Sequence, residues 1–224
     1  LRGFILKVAI YTSIVNKYDS IKLPIKQESY TGKVDYFCFT SEAGSNRYKI
    51  SVPRLDLHPR LINRWYKLFP NEINELNNYD ITIYIDGNLS ITNPGFVDFC
   101  LNKLGNTDFA LYKYHTRSCI YKEISECRKQ KKFGVYDNHL VQELDYRRFY
   151  PANNGLYWCG CLIRRKSSIN NLISLQWWNH IIKYTWRDQI SFPVACYLNR
   201  FTPTVITEPV SNNIIVREHN RILR

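Results

Sequence analysis

The chain has 224 residues, 45% of them hydrophobic and 22% charged, which is the size of one large domain or two small ones and enough for a core without cross-links. Its 31 Lys and Arg against 19 Asp and Glu leave a formal charge of +12, which excludes an acidic solvating tail and calls for a polyanionic or phosphate-bearing partner. A mean hydropathy of −0.36, with no apolar run near the ~20 residues of a membrane span, argues against a helical membrane protein.

In chain order, the run Phe4 to Ile10 is broken by Lys7 and followed by polar residues, so it reads as the start of a first strand and not as a secretory leader. The chain does not begin with Met and is expected to be a portion of a longer protein, organised as a single domain over 1–224. Runs rich in Ile, Val, Tyr and Phe predict strands at Lys7 to Thr12, Asp35 to Thr40, Tyr48 to Val52, Asp80 to Ile85, Phe109 to Tyr114, Leu156 to Arg164 and Val205 to Thr207. Between them, Pro59 to Phe69 carries Leu61, Ile62, Trp65 and Leu68 at helical spacing, with Arg60, Arg64 and Lys67 on another face. Pro94 to Leu104, Ile120 to Lys131, Ser167 to Lys183 and Arg187 to Leu198 read as helices in the same way. Alternating strands and helices predict an α/β sandwich with a mainly parallel central sheet flanked by helices. No internal repeat or linker interrupts it.

Seven cysteines, at 38, 100, 119, 127, 159, 161 and 196, make an odd, scattered set that points to reduced thiols and a cytoplasmic setting, the host cytoplasm if the source is viral. Cys159 and Cys161 lack the partner pair that a zinc site needs. Buried thiols acting as small hydrophobes account for them.

In parallel α/β sheets ligands sit at the carboxyl ends of strands. The informative strand end is Tyr84-Ile85-Asp86-Gly87-Asn88, where a carboxylate and an amide carbonyl flank a glycine after an apolar strand. Such oxygen donors suit Mg2+ or Mn2+ bridging to a diphosphate. The same residues also make a strong turn signal.

Six ordered segments resemble a glycosyltransferase-like family, long a domain of unknown function, whose plant members are linked to mucilage and turgor. They are Ala9 to Thr12 with Tyr18-Asp19, Asp35 to Thr40, Arg60 to Leu68, Tyr84 to Asn88, Arg117 to Glu123, and Arg187 to Phe192. Coverage runs from about Lys7 to about His219. Size and composition are also similar to those of a viral glycosyltransferase domain that decorates a capsid. The resemblance implies a GT-A fold, in which an Asp-x-Asp motif holds Mn2+ against the diphosphate of a nucleotide-sugar. Here the second acid is Asn88, which offers a carbonyl oxygen but no charge, a departure from the wider GT-A pattern.

On that basis Asp86 is expected as the metal ligand, with Asn88 weaker and His219 as a C-terminal ligand. Tyr11, Thr12 and Ser13 would seat the base and ribose, with Tyr11 packed at a sheet edge as the alternative. Arg64 and Lys67 would hold the diphosphate, whereas Arg60 fits a solvated helix face. His115, Arg117 and Glu123 would line the donor-sugar pocket, although Glu123 also suits a surface pair with Lys122 or Arg128. Asp188 is the expected catalytic base, against the alternative that Thr185 and Asp188 form a capping box. The cofactor-binding set is thus Tyr11, Thr12, Ser13, Arg64, Lys67, Asp86, Gly87, Asn88 and Arg117, and the metal set Asp86, Asn88 and His219.

The expected activity is metal-dependent, inverting transfer from a nucleotide-sugar, UDP-glucose or UDP-rhamnose, to a glycan or glycoprotein. The alternative is a non-catalytic module that binds a nucleotide-sugar or glycan. Arg128 to Lys132 and Arg164 to Lys166 are basic clusters with no nucleic-acid motif beside them, so no nucleic-acid partner is expected. An anionic membrane surface, a partner domain of a longer chain or solvent is left to face that charge.

Overall fold

The computed structural model describes residues 6–22, 25–41, 49–51, 57–131 and 136–216. Its centre is a seven-stranded sheet made from β1 (Val8–Ile14), β2 (Val34–Thr40), β3 (Lys49–Ser51), β4 (Ile81–Ile85), β6 (Phe109–Lys113), β7 (Tyr157–Arg165) and β8 (Thr204–Ile206). The spatial order is β3-β2-β1-β4-β7-β6-β8. Only β7 runs against the others, pairing antiparallel with both β4 and β6. The mainly parallel sheet expected from the sequence is therefore present. Two short strands that the sequence reading missed, β5 (Leu89–Ile91) and β9 (Ile214–Val216), pair in a separate antiparallel ribbon. The expected strands preceding them end at Ile85 and Thr207, before either strand of the ribbon begins.

Burial on both faces explains the apolar strands. Every residue of β4 is buried, as are all of β1 but Thr12, the pattern of inner strands covered on two sides. With a period of two, Ala9 and Tyr11 enter one core with Phe39, Tyr66, Trp177 and Phe192, while Val8 and Ile10 enter the other with Ile81, Ile83, Phe96 and Val97. The first core is covered by α1 (Pro59–Leu68), α5 (Ser168–Lys183) and α6 (Asp188–Leu198), and the second by α2 (Phe96–Leu104). A third cluster joins α3 (Ile120–Lys129) and α6 through Ile124, Tyr146, Ile190 and Val194, with Tyr146 supplied by α4 (Tyr136–Arg147). The sequence reading did not predict α4, in which Leu140, Val141 and Leu144 share an exposed face while His139, Gln142 and Tyr146 are buried on the other.

All seven cysteines are buried, and none is in a disulfide. Arg164 corrects the expected basic surface cluster: it is 1% exposed and donates to the carbonyls of Lys67 and Leu68 and to the Tyr11 hydroxyl. Among the described residues no helix is long and apolar enough to cross a membrane.

One consequence of strand order places the site. From β1 the chain builds outward through β2 and β3, whereas β4 starts the other half, so the crevice between the ends of β1 and β4 is a topological switch point.

Candidate functional site

A cavity of about 590 Å³ opens at that crevice. Its wall includes Ser13, Val15 and Asn16 on the β1 side, Asp86 and Gly87 after β4, His58 before α1 with Arg60, Asn63 and Arg64 in it, and Trp186 to Gln189 at the start of α6. Asn63 ties the elements together: its Oδ1 accepts from Ser13 Oγ at 2.8 Å and from the Val15 amide at 3.1 Å. Asn16 and Lys17 then adopt positive φ values of 61° and 54°, a left-handed pair that turns the chain at the mouth.

Gly87 is where the two loops meet. A Cβ there would stand 2.8 Å from Ile14 Cγ1 and 3.0 Å from Asp19 Oδ2, so the close approach requires glycine. Asp86-Gly87-Asn88 is also a turn, closed by the Leu89 amide donating to the Asp86 carbonyl at 2.9 Å. The turn reading of this segment is thus present in the structure.

Four charged side chains form an alternating row: Arg64, Asp188 and Asp86 line the cavity, whereas Lys67, expected at the diphosphate, is fully buried behind them and absent from the wall. Lys67 Nζ lies 3.0 Å from Asp86 Oδ1 and 2.6 Å from Asp188 Oδ2, and Arg64 Nη2 lies 2.8 Å from Asp188 Oδ1. Lys67 also stands 5.1 Å from the Tyr84 ring centroid, so its charge faces an aromatic surface as well as two carboxylates. The i, i+3 spacing of Arg64 and Lys67 turns both to one side of α1. Burial by itself would raise the Asp188 pKa, but the charges of Arg64 and Lys67 outweigh it and hold the carboxyl below its ordinary value. Burial likewise opposes the Arg64 charge, and Asp188 and Asp86 overcome it, raising that pKa.

A second row lies behind the first. Buried Glu123 accepts from Arg117 Nε at 2.6 Å and from Arg187 at 2.8 Å and 2.5 Å, and both arginines reach the Tyr114 hydroxyl. Arg187 lines the cavity; Arg117 and Glu123 support it from behind. The expectation that Arg117, Glu123 and His115 line the pocket is corrected accordingly, and His115 is exposed. Glu123 pairs with Arg117 and Arg187 and not with Lys122 or Arg128 on a helix surface.

Other expected residues separate in the same way. Tyr11 is a correction: it is 1% exposed, donates to the Lys67 carbonyl and packs edge-on against Phe39 and Tyr84, so no base can stack on it. Thr12 is half-buried and absent from the cavity wall, as is Asn88, whereas Ser13 and Gly87 line it. Alternation along β1 is the reason for the Tyr11 and Thr12 placements, since only the strand's end reaches the crevice. The capping alternative for Asp188 does not hold either, because Thr185 donates to Gln142 and the Asp188 side chain caps no helix amide. His219 lies outside the described residues.

Several wall residues carried no role in the sequence reading. Asp19 brings a carboxylate beside Gly87, and its only sequence signal was the Tyr18-Asp19 pair in the first family segment. At the rim, the His58 ring stacks on Trp186 with centroids 4.7 Å apart, and the Arg60 guanidinium lies 5.5 Å from the Trp186 ring. Nothing in the local sequence joins positions 58 and 186. Only the packing of α1 beside α6 does.

A divalent cation of the Mg2+ or Mn2+ kind takes oxygen donors. Among the described residues no group of three or more His, Cys, Asp or Glu forms an all-protein cage. Mg2+ and Mn2+ at nucleotide sites need less, one or two carboxylates with substrate phosphates filling the remaining positions. Asp86 at the crevice, with Asp19 across Gly87, fits that requirement.

A mixed sheet of this order, with an acidic turn and paired cations at its switch point, has the architecture of a GT-A-like glycosyltransferase domain. The fold superposes on the apo structure of the WbbM bifunctional glycosyltransferase with a TM-score of 0.53, over 94% of this chain and 40% of that one, at 13% identity; that likeness is one of fold. The model of the TOD1/MUCI70 glycosyltransferase-like domain matches residues 59–220, and the chain belongs to that family. It is 27% identical over 192 residues to the "Probable hexosyltransferase MUCI70" of Arabidopsis thaliana, covering 76% of this chain and 29% of that protein. The chain thus spans less than a third of the length of that relative.

Proposed function

We propose that this domain transfers a hexosyl group from a nucleotide-diphospho-sugar, UDP-glucose or UDP-rhamnose, to a hydroxyl of a glycan or glycoprotein, with Mn2+ or Mg2+ at Asp86. The observation that carries the reading is the Arg64, Asp188, Lys67 and Asp86 row at the switch point. One cation in the cavity wall, Arg64, and a second buried behind it, Lys67, set a fixed positive field that matches the charge of a departing diphosphate.

In the reaction the bond between the sugar's anomeric carbon and the diphosphate oxygen breaks, and the acceptor oxygen bonds to that carbon. Arg64 and Lys67 take up the negative charge left on the diphosphate. The metal, when bound, adds Lewis-acid stabilisation of the same charge, with Asp86 and Asp19 as its protein ligands. The acceptor's proton goes to Asp188.

Asp188 is a poor base while it is held by two cations, because the same charges that keep it ionised depress its proton affinity. An arriving diphosphate competes for those cations, and a carboxylate released from them regains basicity. The base is therefore armed by the donor. Inversion at the anomeric carbon follows if Asp188 acts directly on the acceptor.

Calorimetric titration of UDP-sugars with and without Mn2+ tests the reading. Binding that strengthens with the metal is expected, and no binding under either condition overturns it. A non-catalytic binding module would bind with the same metal dependence and give no turnover.

A further inference from the structure

Gln189 follows Asp188 in the first turn of α6 and lines the same cavity. It is 7% exposed, and its Oε1 has no hydrogen-bond partner. A buried carbonyl left without a donor is costly, so this atom marks a place where a ligand's donor would fit. Arg64 Nε, in the same wall, also lacks a partner.

The two gaps have opposite polarity. Arg64 Nε–H needs an acceptor, which a diphosphate oxygen supplies. The Gln189 carbonyl needs a donor, which an ionised diphosphate does not have. A hydroxyl can donate to that carbonyl. The hydroxyl in question belongs to something held beside the Arg64 and Lys67 cations. The group bonded to the diphosphate on its reactive side is the sugar to be transferred.

We propose that the Gln189 carboxamide hydrogen-bonds a hydroxyl of the transferred sugar, making it a positioning and specificity residue of the donor site. The inference rests on the donor-site reading above and adds the part of the donor that this residue recognises.

UDP and UDP-glucose separate the possibilities, because UDP carries the ribose and diphosphate but no hexose. Their affinities are to be measured by calorimetry with Mn2+ present, for the unaltered domain, Gln189→Leu and Gln189→Glu. Near-UV circular dichroism checks that each variant is folded. Leucine removes both hydrogen-bonding ends at nearly constant volume, and glutamate keeps only acceptors. The expected result is UDP affinity within twofold of the unaltered domain and UDP-glucose affinity about tenfold weaker in Gln189→Leu, with a smaller loss in Gln189→Glu. Should leucine prevent folding, the ratio of UDP-glucose to UDP affinity in Gln189→Glu decides, and a shift of at least threefold is expected. An unchanged ratio in a folded variant overturns the proposal, as does an equal loss for UDP and UDP-glucose, which would place the contact on the nucleotide. If the unaltered domain binds neither compound, the donor-site reading fails first and this inference with it.

Discussion

Replacing Lys67 by methionine probes the charge row at its centre. The stem volume is kept while the ammonium is lost, and with it the contacts at 3.0 Å to Asp86 and 2.6 Å to Asp188. Asp86 is about one-third exposed, so its share is small, ~0–1 kcal/mol. Asp188 is enclosed, and removing one partner of a buried pair costs about 3–5 kcal/mol. Because Arg64 remains 2.8 Å from the other oxygen, the lower figure applies, a loss of ~3 kcal/mol. For a domain of this size that lowers the melting temperature by about 6–12 °C. The pH dependence carries a sign. The folded pKa of Asp188 is depressed, so its stabilisation is present above the ordinary carboxylate range and is lost as pH falls through the folded value. Without Lys67 that depression shrinks, and the gap between the two proteins closes on acidification. Thermal unfolding followed by circular dichroism from pH 7 down to about pH 3 measures both effects. A melting temperature within about 2 °C of the unaltered protein at pH 7, or a gap that does not change with pH, refutes the reasoning.

Asp188→Asn should lower turnover by about 10²–10⁴, the span of general-base catalysis, while UDP affinity is kept or raised, since Arg64 and Lys67 lose a competitor. Unchanged turnover with UDP still bound removes the base assignment. Gly87→Ala forces a Cβ to within 2.8 Å of Ile14 Cγ1 and 3.0 Å of Asp19 Oδ2; chemical denaturation should show a loss of about 1–3 kcal/mol, together with weaker Mn2+-dependent donor binding. Far from the cavity, His180 has its pKa pushed down to about 4 by burial and by Lys183, so stability should fall as pH drops from about 6.5 toward about 4 and level off below. Its Nδ1 pairs with the Tyr146 hydroxyl at 2.7 Å and its Nε2 with Gln176 at 2.9 Å, and His180→Gln should flatten that acid limb in urea titrations.

Local pattern carried much of the fold. The inner strands β1 and β4 were the most readable because they bury nearly every side chain and so appear as unbroken apolar runs, Ile81 to Ile85 most clearly. Strands β5 and β9 were not read although the equally short β3 and β8 were, and α4 escaped because its buried face carries His139, Gln142 and Tyr146 while Leu140, Val141 and Leu144 face outward. The site divides along the same line. Asp86-Gly87-Asn88, Arg64 with Lys67, and Asp188 each sit in a segment with its own signal: a strand end, one face of a helix, a helix start. Tyr11 was misread because a residue within the last turns of pleat of a strand points into the core or toward the crevice according to a register that the sequence does not reveal.

What the sequence by itself determined was the set of elements, their alternation and the chemical types waiting at the strand ends. Only the tertiary structure decided which of those groups meet. Lys67 and Asp188 are 121 residues apart, and their ion pair exists because α1 and α6 pack on the same face of the sheet. Glu123 and Arg187, 64 residues apart, meet where α3 packs against α6. The physical reason is common to all of them: periodicity and capping act over a few residues and are written locally. A pKa shift, an ion pair or an unpaired carbonyl such as that of Gln189 depends on burial and on neighbours that chain topology alone brings together.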